Sequence, residues 1–125
     1  MDKRIDIYKT MLALSETTLE GIEHIHERAR EGRFEETADI FTDVADSFHE
    51  MRKALLWYYP EFEESALELI TQEVVGGMQL LLAAYEGDRD VRPLVVLQFS
   101  LVPGFQRWHM ALQLELNSLC ASAMN

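Results

Sequence analysis

Few side chains in this sequence are of types able to do chemistry, and the helical repeat sorts them. Glu23-x-x-His26 has the Glu-x-x-His step with which helical bundles turn a carboxylate and an imidazole toward one metal ion. Asp46-x-x-His49 is a weaker second copy. The two do not meet. If the chain turns near Gly32, His26 lies six residues before the turn and His49 seventeen after it. At 1.5 Å of rise per residue that offset is about 16 Å. Glu73 and Glu115 are the later carboxylates a bundle interior would lend, but no further Glu-x-x-His follows. His24 and His26, two apart on a helix, point away from each other. Glu23 and His26 remain as the candidate metal- or small-molecule-binding pair. The single cysteine, Cys120, sits among Leu119, Ala121 and Ala123, with no neighbouring cation to favour a thiolate. The sequence holds no Gly-rich phosphate loop, no Cys-x-x-Cys and no catalytic Ser/His/acid signature. The reading is of a non-enzyme, with no catalytic residue and no cofactor.

Charge narrows the partners. Of 125 residues, 22 are acidic and 11 are Lys or Arg, for a net charge of −11. Phosphate neutralisation needs surplus cations, so nucleic acid is not an expected partner. An anionic membrane face is excluded on the same ground. The longest uncharged stretch, 93–106, is 14 residues and falls short of the roughly 20 that a membrane span needs. One cysteine allows no intrachain disulfide, which fits a cytoplasmic location. Leu, Ile, Val and Phe make up 36 of the residues, enough for a packed core in one domain spanning 1–125.

The acids concentrate on two amphipathic segments: Glu16, Glu20, Glu23 and Glu27, then Glu35, Glu36, Asp39, Asp43, Asp46 and Glu50. Without lysines at i+4 such rows repel slightly. They are read as a face for a basic partner surface, centred on Glu16, Glu20, Glu27, Asp39 and Asp43.

The elements that must position these residues are helices, because apolar residues recur at steps of three and four throughout. A first helix over about 3–31 has the seam Ile5, Tyr8, Leu12, Ser15, Leu19, Ile22, His26, Ala29, and Gly32 stops it. A second over about 34–58 carries Phe34, Ala38, Phe41, Val44, Phe48, Met51 and Leu55 inward. The Trp57-Tyr58-Tyr59-Pro60 cluster that ends it reads as a cap over the core, and Pro60 as the opening of the third helix. The third, about 61–86, has the seam Leu67, Ile70, Val74, Gly77, Leu81, Ala84. Its Gly76-Gly77 pair would let a neighbour, Trp108 or Trp57, come close. The fourth covers about 92–121, with a kink expected at Pro103. The expected fold is all-α: an antiparallel up-down four-helix bundle of two αα-hairpins, 3–58 and 61–121.

The hairpins resemble each other. A shift of 55 pairs Leu14 with Leu69, Gly21 with Gly76, Ala29 with Ala84 and Gly32 with Gly87. A shift of 57 pairs Phe48 with Phe105 and Leu55 with Leu112. An internal duplication would explain both. Yet the halves differ in charge: residues 1–63 carry 15 acids and 8 bases, whereas 91–125 carry only Arg92, Arg107 and Glu115. The fourth helix has a core seam, Leu97, Leu101, Phe105, Trp108, Leu112, Leu119, and a second stripe, Val96, Phe99, Met110, Leu114. A helix apolar on two sides is normally covered on two sides. The second stripe is therefore the expected dimer or partner-binding face.

The run Leu19-x-x-Ile22-x-x-Ile25, then Glu31-Gly32-Arg33-Phe34-Glu35-Glu36, then Phe41-x-x-Val44-x-x-x-Phe48, resembles small acidic bacterial helical-hairpin proteins of unknown function. Size, charge and helix content also resemble flagellar and type III export chaperones. The second resemblance implies that a partner's helix lies in an apolar groove, and it assigns no residue. The resulting expectation is a protein-binding module, chaperone or adaptor, that forms a homodimer or holds a helical or basic partner through the fourth helix. A metal- or small-molecule-binding bundle using Glu23 and His26 is the alternative.

Overall fold

The computed structural model describes residues 3–124, with side chains to Ser122. Helix α1 is Lys3–Arg30, α2 is Ala38–Tyr58, α3 is Ala66–Tyr85, α4 is Pro93–Val96 and α5 is Val102–Met124. A π-helical segment, Leu97–Leu101, joins α4 to α5 into one long arm. Short 3-10 helices, Phe34–Thr37 and Phe62–Glu64, precede α2 and α3. No strand occurs among the described residues. The fold is all-α, and the contacts are those of a four-helix bundle.

Local chemistry sets the ends. Gly32 and Gly87 adopt positive φ (76° and 95°), which a side chain would oppose. Each closes its helix in the same way. Gly32 N–H donates to the Ala29 carbonyl at 3.1 Å and Arg33 N–H to that of Arg28 at 2.8 Å; Gly87 and Asp88 repeat this on Ala84 and Ala83 at 3.1 and 3.0 Å. The start of α3 differs from the sequence expectation. Pro60 does not open it. The residue before a proline is pushed toward extended backbone, and Tyr59 is extended at φ −119°, ψ 93°. The chain then makes its 3-10 turn, buries Phe62, and enters α3 at Ser65, whose hydroxyl accepts from Glu68 N–H at 3.3 Å.

Named contacts give the helix directions. Tyr8 near the start of α1 donates its hydroxyl to the Tyr58 carbonyl at the end of α2. On α3 and α5, Thr71 meets Trp108, Glu73 meets Arg107 and Gly77 meets Leu101, so the two run oppositely. Phe48 of α2 packs on Phe105 and Trp108, and Tyr59 reaches Glu115, which makes α2 and α5 the parallel diagonal.

The core centres on Trp108, fully buried against Phe48 and Phe105 at ring-centroid distances of 5.0 and 5.1 Å. Its indole N–H donates to Thr71 Oγ1 at 2.9 Å, and Thr71 donates to the Leu67 carbonyl at 2.7 Å. On α1 the buried stripe is Tyr8, Met11, Ser15, Thr18, Ile22, Ile25, rotated from the expected seam. Leu12, Leu19, His26 and Ala29 lie half-buried at its edge. Polar Ser15 and Thr18 are tolerated inside because their hydroxyls donate to the Leu12 and Leu14 carbonyls, each at 2.7 Å.

Two seams are drawn tight by glycine. A Cβ on Gly21 would stand 2.8 Å from Val44 Cγ2, and one on Gly77 3.3 Å from Leu101 Cδ1. The neighbour at the glycine pair is thus Leu101 and not a tryptophan, and the glycine it needs is Gly77, since nothing lies within 4 Å of a Cβ on Gly76. Gly21→Ala is expected to cost about 1–3 kcal/mol, because β-branched Val44 has little freedom to withdraw. Gly76→Ala should instead stabilise by about 0.5–1 kcal/mol through helix propensity. Urea unfolding followed by circular dichroism checks both. Equal effects would mean that the Gly21 contact is not tight.

Candidate functional site

The second stripe of the fourth arm is the first place to look. Phe99, Met110 and Leu114 are 72%, 63% and 71% exposed, on the outward side of the π segment and α5. Val96 is not with them: it is buried in the core, and Val95 faces outward instead. The π segment is the reason. It is closed by Val102 N–H donating to the Leu97 carbonyl, five residues back. A π turn takes up about one more residue than an α turn. Positions before it are therefore rotated by about one residue relative to an unbroken helix. The wide turn sits just ahead of Pro103, whose ring would otherwise press on the carbonyl of Phe99.

Across the seam, α3 adds Leu69 and Leu80, both exposed. Glu73, one turn from Leu69, accepts from Arg107 at 3.1 Å. Between them Gly76 and Gly77, with Leu80, Phe99 and Ser100, line a cleft of about 390 Å³. The result is an apolar face with a hollow beside a protruding phenylalanine and one ion pair across it. The sequence reading found three of its residues on the fourth arm and missed Leu69 and Leu80, because an α3 seam plus scattered leucines is indistinguishable from a buried helix until the neighbour is placed. By length and composition Ala66–Tyr85 is apolar enough to cross a membrane, but here a third of its most apolar stretch is buried inside the bundle.

The acidic residues lie elsewhere. Glu16, Glu20, Glu23 and Glu27 are exposed on α1, and Asp39, Asp43, Asp46 and Glu50 on α2. Glu27 pairs with Arg30 at 3.8 Å, Glu50 with Lys53 at 2.9 Å, and Glu36 with Arg33 at 2.8 Å. The Arg33 contact holds the Glu36 carboxyl below its ordinary value. No ion pair reaches Glu16, Glu20, Glu23, Asp39, Asp43 or Asp46 among the described residues.

Glu23 and His26 are not brought together with further ligands. Glu23 is exposed and His26 is half-buried, with Nε2 enclosed and without a hydrogen-bond partner. Glu73 is held by Arg107 and Glu115 by Tyr59. Among the described residues no three His, Cys, Asp or Glu side chains converge as a metal site would require. An apolar cleft of about 330 Å³ between α1 and α2 is lined by Ile7, Met11, Leu14, Met51, Ala54 and Tyr58 with others, and includes neither Glu23 nor His26.

Two polar contacts escaped the sequence reading because they join residues far apart in the chain. Ser15 Oγ meets His109 Nδ1 at 2.7 Å. The single hydroxyl proton goes to the Leu12 carbonyl, so Ser15 accepts from Nδ1–H. With Ser15 fully buried, this pair ties α1 to α5 and offers no nucleophile. At the end of the bundle only part of the aromatic cluster is a cap: Tyr59 is buried, Tyr58 half-buried, and Trp57 is 80% exposed. Tyr59 donates to Glu115 Oε2 at 3.0 Å.

Residues 6–111 match a family described as a domain of unknown function, DUF8042. The chain belongs to this family. The match runs across both hairpins, from the first turns of α1 to the middle of α5. No curated protein and no solved structure matches the chain.

Burial, then the hydrogen bond to the Glu115 carboxylate, push the Tyr59 phenol up to about 12. The folded state thus holds this proton more tightly than the unfolded chain, whose tyrosines titrate near 10. Its contribution to stability is complete below pH 10 and is lost as the pH rises from 10 through 12. Burial also raises the Tyr85 phenol. Titration of tyrosinate absorbance in the DUF8042 protein should therefore lose part of its late amplitude, one tyrosine's worth, in Tyr59→Phe. If Tyr59→Phe instead removes amplitude near pH 10, the phenol is not enclosed as described.

Proposed function

We propose that the DUF8042 protein is a non-enzymatic protein-interaction module that pairs with a second copy of itself through the face formed by α4, the π segment and α5, with Leu69 and Leu80 of α3. The observation that carries the reading is the exposure of Phe99, Met110 and Leu114 together on one outward face. Scattered single leucines need no explanation, but a run of large apolar side chains along one helix marks an interaction surface.

Charge supports a second copy as the occupant. Two chains of net charge −11 repel through most of their surfaces. Residues 91–125 carry only Arg92, Arg107 and Glu115, so this is the side on which copies approach with least repulsion. Shape supports it as well. Phe99 protrudes beside the hollow left by Gly76, and a twofold arrangement lets the phenylalanine of each copy enter the hollow of the other. Glu73 and Arg107 could then also exchange partners across the axis. The DUF8042 chain would serve as an adaptor or chaperone-like dimer, with its acidic α1 and α2 surfaces left outward.

Light scattering coupled to size exclusion, over a concentration series, tests this directly. The expected mass is twice the 14.5 kDa of the chain. Phe99→Glu and Met110→Glu should each weaken association roughly a hundred- to ten-thousandfold, since fully burying such a side chain is worth about 1.5–3 kcal/mol and a twofold dimer loses it in both copies. Helical content should stay as in the parent chain. A monomer at every concentration would refute self-pairing, and loss of helix in both variants would make the face part of the core.

A further inference from the structure

We infer that the groove between α2 and α3 is a docking site for a basic amphipathic helix of another protein, separate from the face proposed for self-association. The groove exists because α2 and α3 are joined mainly at two places. At one end Tyr85 of α3 packs on Phe41 of α2 with ring centroids 4.9 Å apart, and it also meets Thr37 Oγ1 at 2.6 Å and stacks on Phe34 at 4.1 Å in the 3-10 helix that leads into α2. Toward the other end Arg52 reaches Glu68 at 3.8 Å. Between these ties lies a cleft of about 290 Å³, lined by Phe41, Ala45, Val75, Met78 and Leu82 with Thr42, Asp46 and Gln79 at its edges. Unlike Gly21 on α1 and Gly77 on α3, whose missing side chains admit Val44 and Leu101, no glycine on α2 or α3 draws this seam shut.

The occupant follows from the surroundings. The floor is apolar, and Leu82 is 46% exposed on its α3 wall. Asp46 lines the α2 wall, with Asp43 and Asp39 on the same outward side one and two turns toward the helix start. None of the three has an ion pair among the described residues. Glu86 follows the end of α3, also exposed. Three cations around it are engaged, Arg33 with Glu36, Arg52 with Glu68 and Lys53 with Glu50, and Arg89 lies beyond the Tyr85 end, away from Asp46. An occupant must bring apolar side chains for the floor and positive charge for the α2 rim. Positions 41 to 46 span about 7.5 Å along α2, which suits two anchors at i and i+4 of a helix, about 6 Å apart. A Lys or Arg on the flank of that helix would then face Asp46 and its neighbours.

The test uses the full chain carrying Phe99→Glu, so that self-association through α5 does not enter and its failure would leave this reading untouched. A fluorescein-labelled 18-residue peptide of Leu and Lys, with leucines at i, i+3, i+4 and i+7 spacing, is titrated by anisotropy. Binding is expected, weakened by added salt and absent for the same peptide with Glu in place of Lys. Asp46→Lys and Leu82→Lys should each lower affinity at least tenfold, while Glu20→Lys on α1 should leave it within twofold. Amide shifts on binding should centre on 41–46 and 75–82. Absence of binding would overturn the proposal. So would equal sensitivity to Glu20→Lys, which would mean unspecific charge attraction, or shifts confined to α5. Asp46 and Leu82 are exposed, so both variants should keep the parent's helical circular dichroism.

Discussion

One buried polar group constrains much of this bundle: the indole N–H of Trp108. It sits at the centre of an apolar core, where an unpaired donor would cost about 1–3 kcal/mol. Thr71 supplies the acceptor at 2.9 Å and remains satisfied itself through the Leu67 carbonyl. That bond fixes the register of α5 on α3. With Trp108 opposite Thr71, Arg107 falls opposite Glu73 and Leu101 falls into the gap left by Gly77. The same placement sets Phe48 of α2 against both Phe105 and Trp108, so three of the helices are referred to one point.

The surfaces follow from that register. The π segment turns Leu97 and Leu101 inward and α5 turns Phe105, Trp108, Leu112 and Leu116 inward, and what is left of their large apolar side chains looks outward. The π segment then decides which residues of α4 join it, sending Val96 in and Val95 out. Glycine at 21 and 77 closes one seam within each hairpin. The seam between hairpins at α2 and α3 has no such device and is tied by side chains near its ends. Closure of two seams and openness of a third therefore place an apolar groove beside the acidic side of α2, and an apolar face crossed by one ion pair on the opposite arm.

Helix count, the glycine stops and most of the inward faces of α2, α3 and α5 are legible in the sequence because each is local; Ala38, expected inward, is exposed, and Thr71, Met78 and Leu116 are buried where the seams had Ile70, Ala84 and Leu119, which lie half-buried. A glycine that ends a helix and a three-four apolar period act within a few residues. The seam of α1 is less legible. It packs against both α2 and α5, so its buried stripe is broad: Ser15 is inside as its seam position predicts, but so are Met11, Thr18 and Ile25, which the seam left out. Pro60 reads as a helix start, but proline also forces an extended residue before it, and Ser65 provides the cap that the helix uses.

By itself, the sequence determined an all-α chain, an acidic first half, a fourth arm nearly free of charge, and a second apolar stripe on that arm, Val96, Phe99, Met110 and Leu114, of which all but Val96 are exposed. Those depend on composition and on a period that any helix must obey. Only the tertiary structure decided that His26 stays apart from other ligands, that His109 reaches Ser15, that Leu69 and Leu80 join the α5 face, and that α2 and α3 leave a groove. Each of these depends on how far one helix is rotated and slid against another. That relation is set by packing between residues tens of positions apart, such as Trp108 and Thr71, and a local period carries no record of it.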